Sequence, residues 1–458
     1  MKNKSDIFSL AAYGLKFAEN NNHNLNCAEI FFSKDKFINI EVEENSVKNS
    51  EMGNDQGVCV RVIDKRGSLG FAYTNNLDKK PIQKMIINAL KMMGAGTPDT
   101  DFKHLPPSYA TYPEVKNLCD KNLKTIQVED SVSYIKDLID VCKEDELAIS
   151  QSAGFTSSYS SSYIFNTNGI EVEGKETYCS ISSNIIVKDK TSNETSFGYD
   201  WQAVRNINEI NAESIAKNAL EKAKRNLNRI KIKNMKVPLI LTPNGTISLI
   251  MSPLASAINA EAFQYKRSFL VGKRAKIIGT EFLNIEDNAL IDGAYGSYSF
   301  DAEGVPCKNK AVIKDGKFLE DGLLHNNYTA GKEGCESTGN AVRSNYSTVP
   351  SIGITNFTMK PGDYTKEEII KSVNKGIMLD YTGDSPNTTT GDFSGLILQG
   401  NVIENGEIKE ALNETMIGIN LLDLFQRIDA VSKEYKIYGR YRVPYVKIKE
   451  VQIIGAAP

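Results

Sequence analysis

Ile38-Asn39-Ile40-Glu41-Val42-Glu43 alternates apolar and polar residues without a break, the pattern of a strand with one dry face and one wet face. Val58, Val60 and Val62 repeat it, and Asp64-Lys65-Arg66-Gly67 then turns the chain into Leu69-Gly70-Phe71-Ala72-Tyr73, which predicts an antiparallel hairpin. Ahead of these strands, Ile7, Leu10, Ala11, Leu15 and Ala18 share one face of a predicted helix, with Ser5 placed to cap it. Behind them Asp78 opens a second helix, whose Ile82, Met85, Ile86, Ala89, Met92 and Met93 make an apolar stripe ended by Gly94. Its methionines read as core filler.

Pro98, Pro106, Pro107 and Pro113 rule out a regular element over residues 95 to 124 and predict a long connector. Val132, Ile135, Leu138, Ile139 and Cys142 then mark one side of a further helix. Residues 147 to 205 are rich in Ser, Thr and Tyr, and Asn166-Thr167-Asn168-Gly169 punctuates them as a turn, so an antiparallel meander with solvent-facing serines is expected. From Glu209 to Arg229 alanines recur at helical spacing, with acidic residues early and basic residues late, the order that suits the helix dipole.

Lys231 to Lys236 reads as a junction, followed by a buried strand, Val237-Pro238-Leu239-Ile240-Leu241. Asn244 is placed to cap a helical stretch from Thr246 to Tyr265 that Pro253 should kink or divide. Asp315-Gly316 and Asn405-Gly406 are hairpin signals, Ile417 to Val431 reads as a helix, and Val446 to Ile448 and Val451 to Ile453 read as closing strands. Helices and strands do not alternate regularly, which argues for an α+β fold over a doubly wound sheet. Two parts are expected: an N-terminal α+β domain over 1–235, including the connector, and a β-rich C-terminal domain over 236–458. No short-period repeat is visible.

A chain of 458 residues, 41% hydrophobic and 24% charged, is globular in composition. No apolar run approaches the roughly 20 residues that cross a bilayer. The formal net charge of -3 supplies no basic field for polyanions and disfavours direct nucleic-acid binding. Seven scattered cysteines without a CxxC pair indicate neither a disulfide framework nor a cysteine-rich zinc site and fit a reducing cytoplasm. Met1 to Asp6 carries two lysines, but no small-residue cleavage site follows, so a secretory leader is not predicted.

The P-loop, dinucleotide-binding and nucleophile-elbow patterns are absent, and Gly391-Asp392-Phe393-Ser394-Gly395 has the wrong spacing for an elbow. The three histidines, His23, His104 and His325, are unpaired in sequence, which excludes a local two-histidine zinc motif. His325 and Cys335 stand ten residues apart and could form a thiol-imidazole pair, with ordinary loop roles as the plainer alternative. Asp301 and Glu303 could hold a hard cation or steer a peptide amine. Turn formation and an ion pair are the plainer alternative for them.

Gly57-Val58-Cys59-Val60-Arg61-Val62 leads to Gly67, Gly70, Thr74 and Asn75, and further motifs follow in order: Ser268-Phe269-Leu270 with Gly272-Lys273, Phe300-Asp301-Ala302-Glu303-Gly304-Val305-Pro306, Ser337-Thr338-Gly339-Asn340, Pro361-Gly362, Gly391 to Gly395, and Ile403-Glu404-Asn405-Gly406-Glu407-Ile408. This run resembles the TldD/PmbA metallopeptidase family over nearly the whole chain, from about Cys27 to Gly455. The resemblance implies paired subunits forming a heterodimeric peptidase for unfolded or small peptides. In the TldD type a His-Glu-x-x-x-His segment and a later Cys hold zinc. Met251, Ser252 and Ser256 occupy the matching positions here, and Tyr435 to Val443 contains no Cys.

The resemblance therefore implies the PmbA (TldE) type, a non-catalytic subunit with no cofactor of its own and with zinc expected only in a TldD-type partner. By family position, the helix from Thr246 to Tyr265 and the residues Asp301, Glu303, Ser337, Thr338 and Asn340 are expected at a peptide groove. Self-association as a homodimer is the alternative assembly. The family's older name, modulator of DNA gyrase, implies at most an indirect effect on DNA. Two other readings stay open: an independent hydrolase with an unrecognised nucleophile, and a binding or scaffold protein with no part in cleavage.

Overall fold

The computed structural model describes residues 4–102 and 104–456; Met1, Lys2 and Asn3, on which part of the leader reading rests, lie outside the described residues. The chain is α+β and is built around two large sheets. The first runs α1 (Lys4–Asn21), β1 (Leu25–Glu43), β2 (Ser46–Asp64), β3 (Leu69–Thr74), α2 (Lys79–Ala95), α3 (Lys121–Thr125), α4 (Val128–Lys143), β4 (Ala148–Asn166), β5 (Glu171–Lys188), β6 (Thr195–Val204) and α5 (Ala212–Arg225). Its strands are antiparallel neighbours in the order β3-β2-β1-β4-β5-β6. A unit of helix, three strands and helix thus occurs twice. The two units are joined along β1 and β4 in unbroken register from Glu29↔Asn166 to Val42↔Ala153.

Period-two alternation decides which face each side chain takes. Ile30, Phe32, Ile38, Ile40 and Val42 of β1, with Val58, Val60 and Val62 of β2, pack under the helices in two apolar clusters. The opposite face carries Glu29, Phe31, Cys59 and Arg61 and meets the C-terminal half. The expected hairpin and meander are present. Ser157, Ser158, Ser161 and Ser183 are nevertheless buried rather than solvent-facing; Ser157, Ser161 and Ser183 share the helix-covered face with Phe155, Tyr163 and Ile181.

Several boundaries differ from the sequence reading. Ser5 lies inside α1 rather than capping it. Gly94 lies inside α2, which ends at Gly96 instead. Met92 and Val132 are exposed, since each sits at the solvent side of its stripe.

The second half contributes β7 (Met235–Leu241), α6 (Pro243–Thr246), a π turn (Ile247–Met251), α7 (Ser252–Ala257), α8 (Ala260–Gln264), β8 (Ile285–Asn288), β9 (Asn309–Lys314), β10 (Lys317–Phe318), α9 (Asn327–Glu333), β11 (Ala341–Val342), β12 (Ser351–Ile352) and β13 (Phe357–Met359). It continues with α10 (Lys366–Lys371), β14 (Lys375–Thr382), β15 (Asp392–Glu404), β16 (Glu407–Ala411), β17 (Met416–Asn420), α11 (Leu421–Phe425), β18 (Ile428–Tyr438) and β19 (Tyr441–Ile454). The order β19-β17-β15-β14-β7, with β7 returning to pair β19, closes a five-stranded barrel. Leu239, Leu241, Ile377, Leu379, Ile417 and Ile453 belong to its core.

Both Asp315-Gly316 and Asn405-Gly406 make two-residue hairpins with positive φ at both positions, 48° and 72° in the first and 51° and 77° in the second, as type I′ turns require. The helix expected from Ile417 to Val431 is instead a strand, one short helix and another strand. Val446 to Ile453 is one strand with a register shift, not two. Thr242, not Asn244, caps the stretch after β7, its hydroxyl accepting from the Gly245 N–H at 3.3 Å. Pro253 does not divide the helix: the π turn before it sets the ring in the first turn of α7, where its lack of an N–H is tolerated. The break comes at Asn259, whose side chain caps α8.

Candidate functional site

Where the open face of the six-stranded sheet meets the C-terminal half, two features stand out: a buried charged seam and an aromatic cleft. In the seam, Arg61 Nη2 donates to Glu29 Oε2 and Glu303 Oε1, each at 2.8 Å, and Arg343 Nη2 pairs with the other oxygen of Glu29. Two guanidinium groups thus face two carboxylates, almost wholly out of water. The second oxygen of Glu303 accepts from the backbone N–H of Asn327 at 2.7 Å. Such a set is tolerated inside a protein because the charges cancel locally, although Arg61 Nε is buried without a hydrogen-bond partner.

Asp301 shapes the turn beside the seam. Its Oδ1 accepts from the N–H groups of Glu303 and Val305 at 2.9 and 3.0 Å, and its Oδ2 from Ala341 at 2.9 Å. Burial pushes its carboxyl up and the charge of Glu303 adds to this, while the three N–H donors act the other way. Of the two readings of this pair, the turn and the ion pair are what the structure contains.

Asp301 and Asn340 reach the wall of a cavity of about 280 Å³ with Phe300, Arg343 and Arg440. Glu303, Ser337 and Thr338 lie outside that wall. Ser337 donates to the His325 carbonyl at 3.3 Å, and Thr338 donates to Asn340 Oδ1 at 2.7 Å while its oxygen accepts from the His325 N–H at 2.7 Å. Asn340 in turn donates to Asp287 Oδ2 at 2.9 Å.

The larger cleft, about 780 Å³, lies between β6 and the α6–α7 stretch. Thr195-Ser196-Phe197-Gly198-Tyr199-Asp200-Trp201 explains its wall: Ser196, Gly198 and Asp200 are buried or pressed on α5, so Phe197, Tyr199 and Trp201 project into the cleft. Gln399 Nε2 donates to the Phe197 carbonyl at 2.6 Å, and Trp201 packs on Tyr438 with ring centroids 5.8 Å apart. Sequence reasoning missed these aromatics. Their spacing at every second residue of a strand was the available signal.

Ser252, Pro253 and Ser256 line the opposite wall with Tyr441 of β19. Met251 is fully buried in the barrel core, Ser252 stands beside Tyr441 on the cleft wall, and Ser256 Oγ donates to the Ser252 carbonyl at 3.2 Å. Burial pushes the Tyr441 phenol up, with the neighbouring Ser252 hydroxyl opposing it. A thioether turned into the core and two neutral serine hydroxyls do not fit a zinc ion, which takes imidazole, thiolate or carboxylate donors.

The structure does bring His325 and Cys335 together, with Glu333 between them. His325 is buried and Cys335 is exposed. Burial, then the charge of Glu333, push the Cys335 thiol up, the opposite of the lowered pKa that a nucleophilic thiolate needs.

A helix-backed sheet packed on a closed barrel, with a cleft walled by aromatics between them, defines an α+β scaffold. Three domain models of the PmbA/TldA metallopeptidases match the chain, domain 1 at residues 28–93, the central domain at 121–227 and the C-terminal domain at 234–455. The chain belongs to the PmbA/TldD family. It is 27% identical over 413 residues to a metalloprotease of Methanocaldococcus jannaschii, covering 88% of each chain. It is 27% identical over 453 residues to a metalloprotease PmbA homologue of Buchnera aphidicola, covering 96% of this chain and 95% of that one. The crystal structure of TldE from Thermococcus kodakarensis superposes with a TM-score of 0.86 at 25% identity, covering 98% of this chain and all of that one.

Proposed function

We propose that this chain is the PmbA/TldE-type, non-catalytic subunit of a peptidase complex, pairing with a homologous TldD-type subunit that carries the zinc ion. One observation carries the reading: where the family resemblance places metal ligands, Met251 is buried in the core and Ser256 Oγ is bonded to the Ser252 carbonyl. This chain's contribution would be the aromatic cleft, whose Phe197, Tyr199 and Trp201 offer flat apolar faces to an extended peptide. A cytoplasmic setting suits the seven free cysteines.

The test is peptide cleavage by the purified chain alone and mixed with a TldD-type partner. The chain alone should be inactive, and the mixture should cleave in a chelator-sensitive manner. Chelator-sensitive cleavage by the chain alone rejects the proposal, and so does a partner that works equally well without it.

A further inference from the structure

His325 immediately precedes Asn326, the N-cap of α9, and α9 ends at Gly334 with φ +70°. That left-handed turn folds the chain back, so the Cys335 N–H donates to the Ala330 carbonyl at 3.0 Å. His325, Thr329 and Glu333 follow one another at four-residue spacing, the interval that stacks side chains on one helix face. His325, Glu333 and Cys335 consequently each bring one ligand-capable atom to within 4.8 Å of the others, the group of this kind found among the described residues.

The arrangement around this group resembles a prepared donor set. His325 Nδ1 is hydrogen-bonded to Thr329 Oγ1 at 3.2 Å, which fixes the ring and leaves Nε2 facing Glu333 Oε2 at 3.9 Å. A hydrogen bond on the far ring nitrogen is the usual means of orienting a metal-bound imidazole. Burial also pulls the His325 pKa down, which keeps the ring neutral and its lone pair available. Glu333 is steadied by Gln264 Nε2 on Oε1 at 3.0 Å and by Arg274 Nη2 on Oε2 at 2.6 Å. Cys335 is exposed and opens the group to solvent.

We propose that His325, Glu333 and Cys335 form a binding site for a zinc-class divalent cation, separate from the aromatic cleft and from the Met251 to Ser256 turn. One sulfur, one nitrogen and one oxygen match the borderline donors that zinc prefers, with a fourth position left to water. Calcium and magnesium, which demand oxygen ligands throughout, are poor fits. Binding converts the Cys335 thiol to thiolate and releases its proton to solvent. Arg274 competes with the cation for Glu333. Its side chain is partly exposed and also lies over Phe263 at 5.0 Å, so it can leave the carboxylate without losing all its contacts. None of these three ligands lines the cleft, so the inference stands whether or not the chain supports a peptidase partner.

The experiment titrates the full-length, metal-free protein with Co²⁺ as a spectroscopic probe and then displaces it with Zn²⁺ in competition with a chromophoric chelator. One equivalent should bind, with thiolate-to-cobalt absorption in the near ultraviolet. Cys335→Ser, an exposed position, should abolish that absorption and weaken Zn²⁺ at least about tenfold, with the metal-free melting temperature unchanged. Arg274→Ala should tighten Zn²⁺ severalfold, and Cys119→Ser, at the other exposed cysteine, should change nothing. Absence of the thiolate band, equal Zn²⁺ affinity in the parent and Cys335→Ser, or loss of the band in Cys119→Ser would each overturn the site. Peptide cleavage is not read in this experiment, so its outcome is independent of the subunit proposal.

Discussion

Arg61 interrupts the run Val58-Cys59-Val60-Arg61-Val62 on the face that a one-sided strand would leave wet, and in sequence it looks like an ordinary surface residue. Its counterpart Glu303 is 242 positions away, so the turn and ion pair expected for Asp301 and Glu303 were legible in kind while the partner was not. Removing one member of a buried, balanced set leaves an uncompensated charge. Arg61→Met should therefore destabilise the protein by about 3–5 kcal/mol in urea unfolding. A change below about 1 kcal/mol would mean that water reaches the seam.

His325 supplies the pH dependence. Its folded pKa lies below the unperturbed 6.5, with burial the largest cause. As pH falls through about 6.5 the unfolded chain takes up the proton first, so stability present at neutral pH declines until the folded ring also protonates. In metal-free buffer the melting temperature should fall more steeply from pH 7 to about 5 in the parent than in His325→Gln.

At the scale of elements, period-two patterning was a reliable guide where the sheet has a helix-covered face, as in β1 and β2. It failed over Ile417 to Val431. There Leu421, Leu424, Phe425 and Ile428 fall at helix-like intervals, yet pairing of β17 with β15 and of β18 with β19 supplies the backbone hydrogen bonds that a helix would have made. The caps at Thr242 and Asn259 were missed for a related reason: Pro253 looked like the breaker, and a π turn accommodates it.

The contact of β6 with α5 gives a sharper test. A Cβ on Gly198 would stand 2.0 Å from the Ala219 carbonyl oxygen and 2.4 Å from the Ala223 nitrogen, both helix backbone. Gly198→Ala should cost about 1–3 kcal/mol by pushing the helix outward. Gly154→Ala, whose Cβ would meet nothing closer than 3.6 Å, should be close to neutral. Equal melting temperatures for the two variants would refute the close approach.

For the whole molecule, the α+β class and the antiparallel character of both halves could be read from pattern, whereas barrel closure by β7 on β19 depends on pairings between distant segments. The cleft shares that limitation: its walls come from Phe197 to Trp201 and from Ser252 to Tyr441, which no local motif connects. The single tryptophan of the chain, Trp201, stands in that wall. Titration with an unstructured peptide should therefore shift its fluorescence emission, and Tyr199→Ala should weaken the binding that the shift reports. An emission spectrum indifferent to saturating peptide would remove the cleft from consideration.

The twofold occurrence of helix, three strands and helix has a further consequence. The units share no backbone except the proline-rich connector, but they are fastened by every rung between Glu29↔Asn166 and Val42↔Ala153. Ala110 and Thr111, exposed within that connector, mark a place where the polypeptide can be severed without cutting a strand or a helix. Coexpressed as two fragments divided there, the protein should reconstitute by complementation and co-purify as one particle.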